Sequence, residues 1–221
     1  MHRSFAPCAC AVLALAGTGL ARAAIIDAAI TADNHYALYT TTNVGLELVG
    51  QNEAGASGSP GTYNWSIPEP YSFFALNEVY IAAWSDDAVA QGVLAQVFVD
   101  SGESLHSGDS KWEVYATHVN RGDGDPVPTL SEMSGHIADA TTGGLWETPF
   151  AGGNNGIAPW GSIPGITSAA RWMWWNTPGD SDPIHGGSGA GEFLIFRIAV
   201  PTPGSAALLG AGALLAFRRK R

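Results

Sequence analysis

The feature that most limits what this chain can fold into is a succession of short β-type runs with no helix-period stretch of useful length between them. The runs are 25–31 "IIDAAIT", 35–41 "HYALYTT", 45–50 "GLELVG", 71–76 "YSFFAL", 78–84 "EVYIAAW" and 92–99 "GVLAQVFV". Three more follow at 112–118 "WEVYATH", 169–175 "AARWMWW" and 192–199 "EFLIFRIA". Apolar runs of this length bounded by turn residues read as strands. Several are apolar on both faces, which predicts strands in a packed sandwich rather than on a half-solvated sheet. The connections, such as "NEAGASGSPG" (52–61) and "FAGGNNGIAPWGSIPG" (150–165), draw on 28 glycines and 13 prolines. There is no repeat of solenoid period. Residues 119–168 carry little strand signal and are expected to hold long loops or a short helix around 129–138. The expected fold is all-β, an antiparallel β-sandwich of the jelly-roll kind, over residues 24–199.

Both ends read differently from this body. Arg3 precedes the apolar stretch "CACAVLALAGTGL" (8–20), and "ARA" places small residues at Ala21 and Ala23. A basic flank, an apolar segment and a small-residue site make a signal peptide over 1–23, with cleavage by signal peptidase expected after Ala23. A buried N-terminal helix is the alternative, and the abrupt change to polar sequence argues against it. Cys8 and Cys10 both lie inside this leader, so the body has no disulfide and no thiol chemistry.

Charge is just as uneven. All 20 acidic residues fall between Asp27 and Glu192, and in the body (24–199) only Lys111, Arg121, Arg171 and Arg197 oppose them, a formal charge of −16. Such a surface repels nucleic-acid phosphates and anionic membranes. Cations, neutral glycans and basic partners remain, or acidity serves solubility alone.

The last 22 residues have three parts in order. Val200-Pro201-Thr202-Pro203 ends the last strand, because proline cannot continue a ladder. Ser205–Phe217 is apolar, and Arg218, Arg219, Lys220 and Arg221 are all basic. Thirteen residues of helix span about 20 Å, short of the ~30 Å hydrocarbon core. A plain single-pass anchor is therefore a poor fit, although snorkelling and bilayer thinning could accommodate one.

The order of parts resembles the PEP-CTERM sorting signal of Gram-negative bacteria, with Thr202 where that family most often has Glu. The resemblance implies a short C-terminal transmembrane sorting helix, transient association with the inner membrane, and processing by an exosortase-type peptidase. The protein would then reside in the envelope or extracellular matrix of a bacterium that makes exopolysaccharide, and that polymer is the partner implied. The body carries a second resemblance. Asp33, Asn34, Tyr36, Leu38, Tyr39 and Gly50, then Trp65, Pro68 and Pro70, resemble the opening of galactose-binding-like jelly-roll domains. The hairpin 71–97 and the pair "ARWMWW" and "FLIFRIAV" resemble later strands of such domains, with a departure at Asn77-Glu78. Sugar binding is what this resemblance implies.

Several residues are candidates for chemistry. Asp123 and Asp125, Asp180 and Asp182, and Asp86 and Asp87 sit in turn-rich loops, and each pair could supply oxygen ligands to a structural Ca²⁺. Asp-Gly and Asp-Pro pairs also simply make turns. The Arg-Gly-Asp tripeptide at 121–123 is read as chance. Trp172 and Trp174 share one face of a strand, with Met173 and Trp175 on the other, and a core role is expected. Trp65, Trp146 and Trp160 stand in polar loops and must dock on the body or meet a ligand. His35, His106, His118, His136 and His185 show no metal-ligand spacing. No serine lies in a Gly-x-Ser-x-Gly elbow, and "GGSGAG" (186–191) lacks the lysine of a phosphate loop. A glycosidase needs two facing carboxylates, and nothing singles out such a pair. The chain reads as a non-enzyme. The alternatives are a secreted enzyme acting on envelope polysaccharide and a membrane-anchored surface protein.

Overall fold

A computed structural model describes residues 23–52, 65–86, 90–122, 124–177, 179–185 and 192–201. The leader through Arg22, Asp87, Asp123 and the tail from Thr202 to Arg221, which includes Pro203, Arg218, Arg219 and Lys220, lie outside the described residues. Eleven strands and one helix occur among those described: β1 (Ala24–Asp33), β2 (His35–Thr42), β3 (Gly45–Gln51), β4 (Glu69–Ala75), β5 (Glu78–Trp84) and β6 (Gly92–Val99), then β7 (Ser104–His106), β8 (Trp112–Asn120), α1 (Leu130–Gly143), β9 (Phe150–Asn154), β10 (Arg171–Trp174) and β11 (Glu192–Ala199). They form two antiparallel sheets. The first runs β4-β1-β6-β10-β9, with β7 added to β6, and the second runs β3-β2-β5-β11-β8.

The period-2 pattern explains the layering. Ile26 and Ile30 of β1 and Val93 and Val97 of β6 point inward from the first sheet. They meet Leu38, Ile81, Val114 and Phe196 of the second sheet in one core. The alternate residues of the second sheet are apolar too. Tyr39, Tyr80, Tyr115, Phe193 and Ile195 face the other way and pack with Met133 and Ala140 of α1 in a second core. β2, β5 and β11, apolar on both faces, thus belong to a sheet covered on both sides, by a sheet and by a helix, and β6 of the first sheet is likewise buried on both faces.

The helix is set by its ends. Thr129 caps the start, its Oγ1 accepting from Glu132 N at 3.2 Å, which satisfies one of the orphan donors of the first turn. Gly144 closes the other end in the left-handed conformation, φ 63°, and donates its N–H to Ala140 O, as glycine at this position commonly does. The helix begins where the sequence places it and runs five residues beyond 138.

Two strands escape a reading by composition. β7 is only three residues long. β9 is "FAGGN", in a stretch that reads as loop. It pairs with β10 through Phe150↔Trp174 and Ala151↔Met173. Its glycines admit neighbours: a Cβ on Gly152 would lie 2.8 Å from Ile184 Cγ1.

The sandwich has two unlike poles. At one, short turns join β2 to β3 and β4 to β5, and both described ends leave. Ala24 pairs with Ala75, and Val200 N donates to Asn77 O at 2.7 Å. At the other pole lie the β1–β2 link at Asn34 and the connections that follow β3, β5, β8 and β10.

Truncating Phe196, wholly buried between the sheets, to alanine should cost about 3–5 kcal/mol. Phe98→Ala, at a side chain 47% exposed on the outer face of the first sheet, should change stability by no more than about 0.5 kcal/mol. Urea unfolding curves compare the two directly.

Candidate functional site

The second pole gathers acids, histidines and indoles from strands distant in sequence. Asp33 ends β1, and its Oδ2 accepts from Trp160 Nε1 at 2.7 Å. Trp160 stacks on Trp172, ring centroids 4.0 Å apart and planes within 21°. Gly92, the β6 partner of Asp33, leaves room for this pair, since a Cβ there would sit 2.9 Å from Trp172 Cε3. The Asp33–Asn34 peptide is cis. Asn34 Oδ1 accepts from Ser85 Oγ (2.8 Å) and Asp86 N (3.1 Å), and Asn34 O accepts from Asn52 Nδ2. These bonds tie the ends of β1, β3 and β5 together. Burial, reinforced by the negative charge of Asp86, pushes the Asp33 carboxyl up to about 6, against the opposing hydrogen bond from Trp160. His185 approaches from the last long connection, Nδ1 2.9 Å from Asp182 Oδ2 and its ring centroid 6.1 Å from that of Trp160.

A second group lies on the other sheet at the same pole. His118 adopts φ 58° beside a register shift between β8 and β11. Bulges of this kind re-aim side chains. Here the His118 ring points outward, its Nδ1 3.0 Å from Glu192 Oε1, and the same oxygen accepts from His118 N at 2.6 Å. The Trp175 ring meets His118 edge-on at 5.8 Å, and Trp175 Nε1 donates to Glu147 Oε2 at 3.2 Å. A partly buried indole, packed on the core and flanked by a histidine and two carboxylates, offers a limited apolar edge with polar neighbours, groups of the kind that contact a sugar ring and its hydroxyls.

The residues proposed from sequence do not converge. Trp160 is 4% exposed and belongs to the core. Trp65 packs against the same core, and its carbonyl accepts from Thr31 Oγ1 at 2.7 Å. Trp146 is on the far side of the second sheet, against Tyr80 and Tyr115, with the Arg197 guanidinium 4.0 Å from its ring centre. All three dock on the body. Trp172 and Trp174 fill the core as expected.

The described aspartates shape turns. Asp125 Oδ2 accepts from Gly122 N at 2.7 Å, and Asp180 Oδ1 accepts from Asp182 N at 2.9 Å. Among the described residues no group of three or more His, Cys, Asp or Glu side chains is placed to hold a metal ion. Arg121 turns inward over Trp84 and Phe193 and bonds Glu132, so the Arg-Gly-Asp arginine anchors α1. Sequence reasoning passed over His118 and Trp175 as ligand candidates. The only available signal was a polar "THVN" end to an otherwise apolar run.

No protein-family model, curated protein or solved structure matches this chain.

The raised carboxyl of Asp33 has a consequence for stability. Between about pH 4, where an unfolded aspartate ionises, and about 6, the folded chain holds a proton that the unfolded chain has released. Stability contributed by Asp33 is therefore full below this window, falls as pH rises through it, and stays low above it. Asp33→Asn keeps an acceptor for Trp160 and cannot ionise. It should match the parent near pH 4 and exceed it by about 1–2 kcal/mol at pH 7, after discounting for solvent screening. Parallel unfolding profiles from pH 4 to 7 would refute this assignment.

Proposed function

We propose that this chain is an exported protein of a Gram-negative cell envelope or extracellular matrix, sorted by an exosortase-type peptidase. On this reading its sandwich, a jelly roll of the galactose-binding-like kind, has a structural or exopolysaccharide-binding role. The observation that carries the reading is the division of the molecule. The leader and the three-part tail would leave from one pole, while the acids, histidines and indoles lie at the other. A domain tethered at one pole and facing outward with the other suits adhesion to a neutral polymer, and the −16 charge of the body disfavours polyanions.

Signal peptidase would remove residues 1–23. The tail would enter the inner membrane transiently and be processed near Val200–Pro203. Among the described residues no helix is long and apolar enough to cross a membrane, and the tail lies outside them. We favour binding over catalysis because Asp33, Asp182 and Glu192 are each engaged with an indole or a histidine.

In a host that carries an exosortase, the full chain should fractionate with the envelope or medium. Changing Pro201 and Pro203 to Ala, with Arg218–Arg221 changed to Ser, should leave it unprocessed in the inner membrane. Co-sedimentation of the exported body with host exopolysaccharide should fall several-fold for Trp175→Ala or His118→Ala. A blank result for the parent would leave the structural role alone.

The calcium proposal has its own measurement. Ca²⁺ bound by Asp180, Asp182 or neighbouring loops should raise the melting temperature, since ligand at a hundredfold over Kd stabilises by about 2.7 kcal/mol. Identical melting with Ca²⁺ and with chelator would exclude it.

A further inference from the structure

We infer that the pole from which both chain ends leave is a lipid-docking surface, which rests on zwitterionic phospholipid while the tail is in the membrane. The inference builds on the membrane-anchored tail proposed above. Only Thr202, Pro203 and Gly204 separate Pro201 from the apolar segment that begins at Ser205. Fully extended, three residues reach about 10 Å. The polar interfacial layer of a bilayer is about 5–8 Å deep on each side. With Ser205–Phe217 in the hydrocarbon, this tether keeps the pole within several ångströms of the headgroups.

The surface there suits that position. Val44, in the β2–β3 turn, is 87% exposed, and Phe74, on β4, is 63% exposed. Ile25, the β1 partner of Phe74, is 40% exposed. Val44, Phe74, Leu76 and Ala23 border one open depression of about 450 Å³. Exposed apolar groups gathered in one place mark interaction sites. Here their apolar side chains lie beside the two chain ends, where they can enter the boundary between headgroups and acyl chains. The rim is Thr41, Thr42, Asn43 and Glu47, with one carboxylate and no lysine or arginine. Neutral headgroups match it, and anionic ones are repelled. Docking in this way turns the pole with His118, Trp175 and Asp33 away from the membrane.

The test uses the chain as exported, residues 24–221, which holds no cysteine of its own, carrying one new cysteine at a time: Val44→Cys, Phe74→Cys or Asn176→Cys. Asn176 is exposed and follows β10 at the opposite pole. Each variant is labelled with an environment-sensitive fluorophore and reconstituted in phosphatidylcholine vesicles, with or without brominated acyl chains. Labels at 44 and 74 should shift to the blue and be quenched several-fold more than the label at 176. All three substituted side chains are exposed, so none should impair folding. Water-like labels at 44 and 74 on a chain that resists alkaline extraction would overturn the docking surface and leave the anchored tail standing. Extraction of the chain by alkali would overturn both. Energy transfer between Val44→Cys labels on separate copies would also overturn the inference, because a second copy would then occupy the surface.

Discussion

The second sheet must be covered on both faces, and most of the molecule follows from that requirement. Tyr39, Tyr80, Phe193 and Ile195 point away from the first sheet and would meet water if α1 did not lie across them. Burial of side chains of this size is worth about 1.5–3 kcal/mol each, and the helix returns only Met133 and Ala140 as fully buried residues. Polar ties hold it in place. The Tyr39 hydroxyl donates to Pro128 O just before the cap, and Arg121, lying over Phe193, pairs with Glu132 in the first turn. Burial raises the Tyr39 hydroxyl further from ionisation, so it remains a donor throughout the physiological range. The free edge of β8 is closed nearby by a bridge between Val114 and Glu147, one way in which proteins blunt an exposed ladder.

The covered sheet also separates the two poles. With both faces of its strands committed to packing, chemistry is left to the strand ends. The pole with short turns carries the ends of the described residues and an apolar surface, and the pole with long connections carries the acids and aromatics. Asp33 shows the energetic character of the latter. Its carboxyl is buried beside Asp86, so ionisation works against the fold, while the same carboxyl accepts from the indole of Trp160. It lies against the stacked Trp160–Trp172 pair, which closes this end of the strand.

How far the sequence discloses this depends on which signal each element carries. β5, β6 and β11 have the bounds that their apolar runs suggest, because turn-forming residues follow closely: Ser85-Asp86 after β5, Asp100 after β6 and, past Val200, Pro201 after β11. β9 was not legible, because its strand character comes from its partner β10 and from the close packing of Ile184 and Ile157 on its glycines. The helix extends past its expected end through residues 139–143, of which Asp139, Thr141, Thr142 and Gly143 are poor helix formers that the burial of Ala140 and the Gly144 cap retain. Trp160 illustrates the same limit in the site. Its flanking prolines and glycines suggest an exposed loop, and only the fold reveals that the indole is inserted against Trp172. His118 and Trp175 come together across strands that are distant in sequence, and no local spacing announces that.

The account rests on a body that is exported and released from its leader and tail. The most direct measurement is the intact mass of the protein recovered from the envelope or medium of an exosortase-bearing host. The account predicts a chain that begins at Ala24 and has lost Arg218–Arg221, with its new C-terminus beyond the buried Val200. A chain recovered from the cytoplasm with residues 1–23 and 218–221 intact would contradict it.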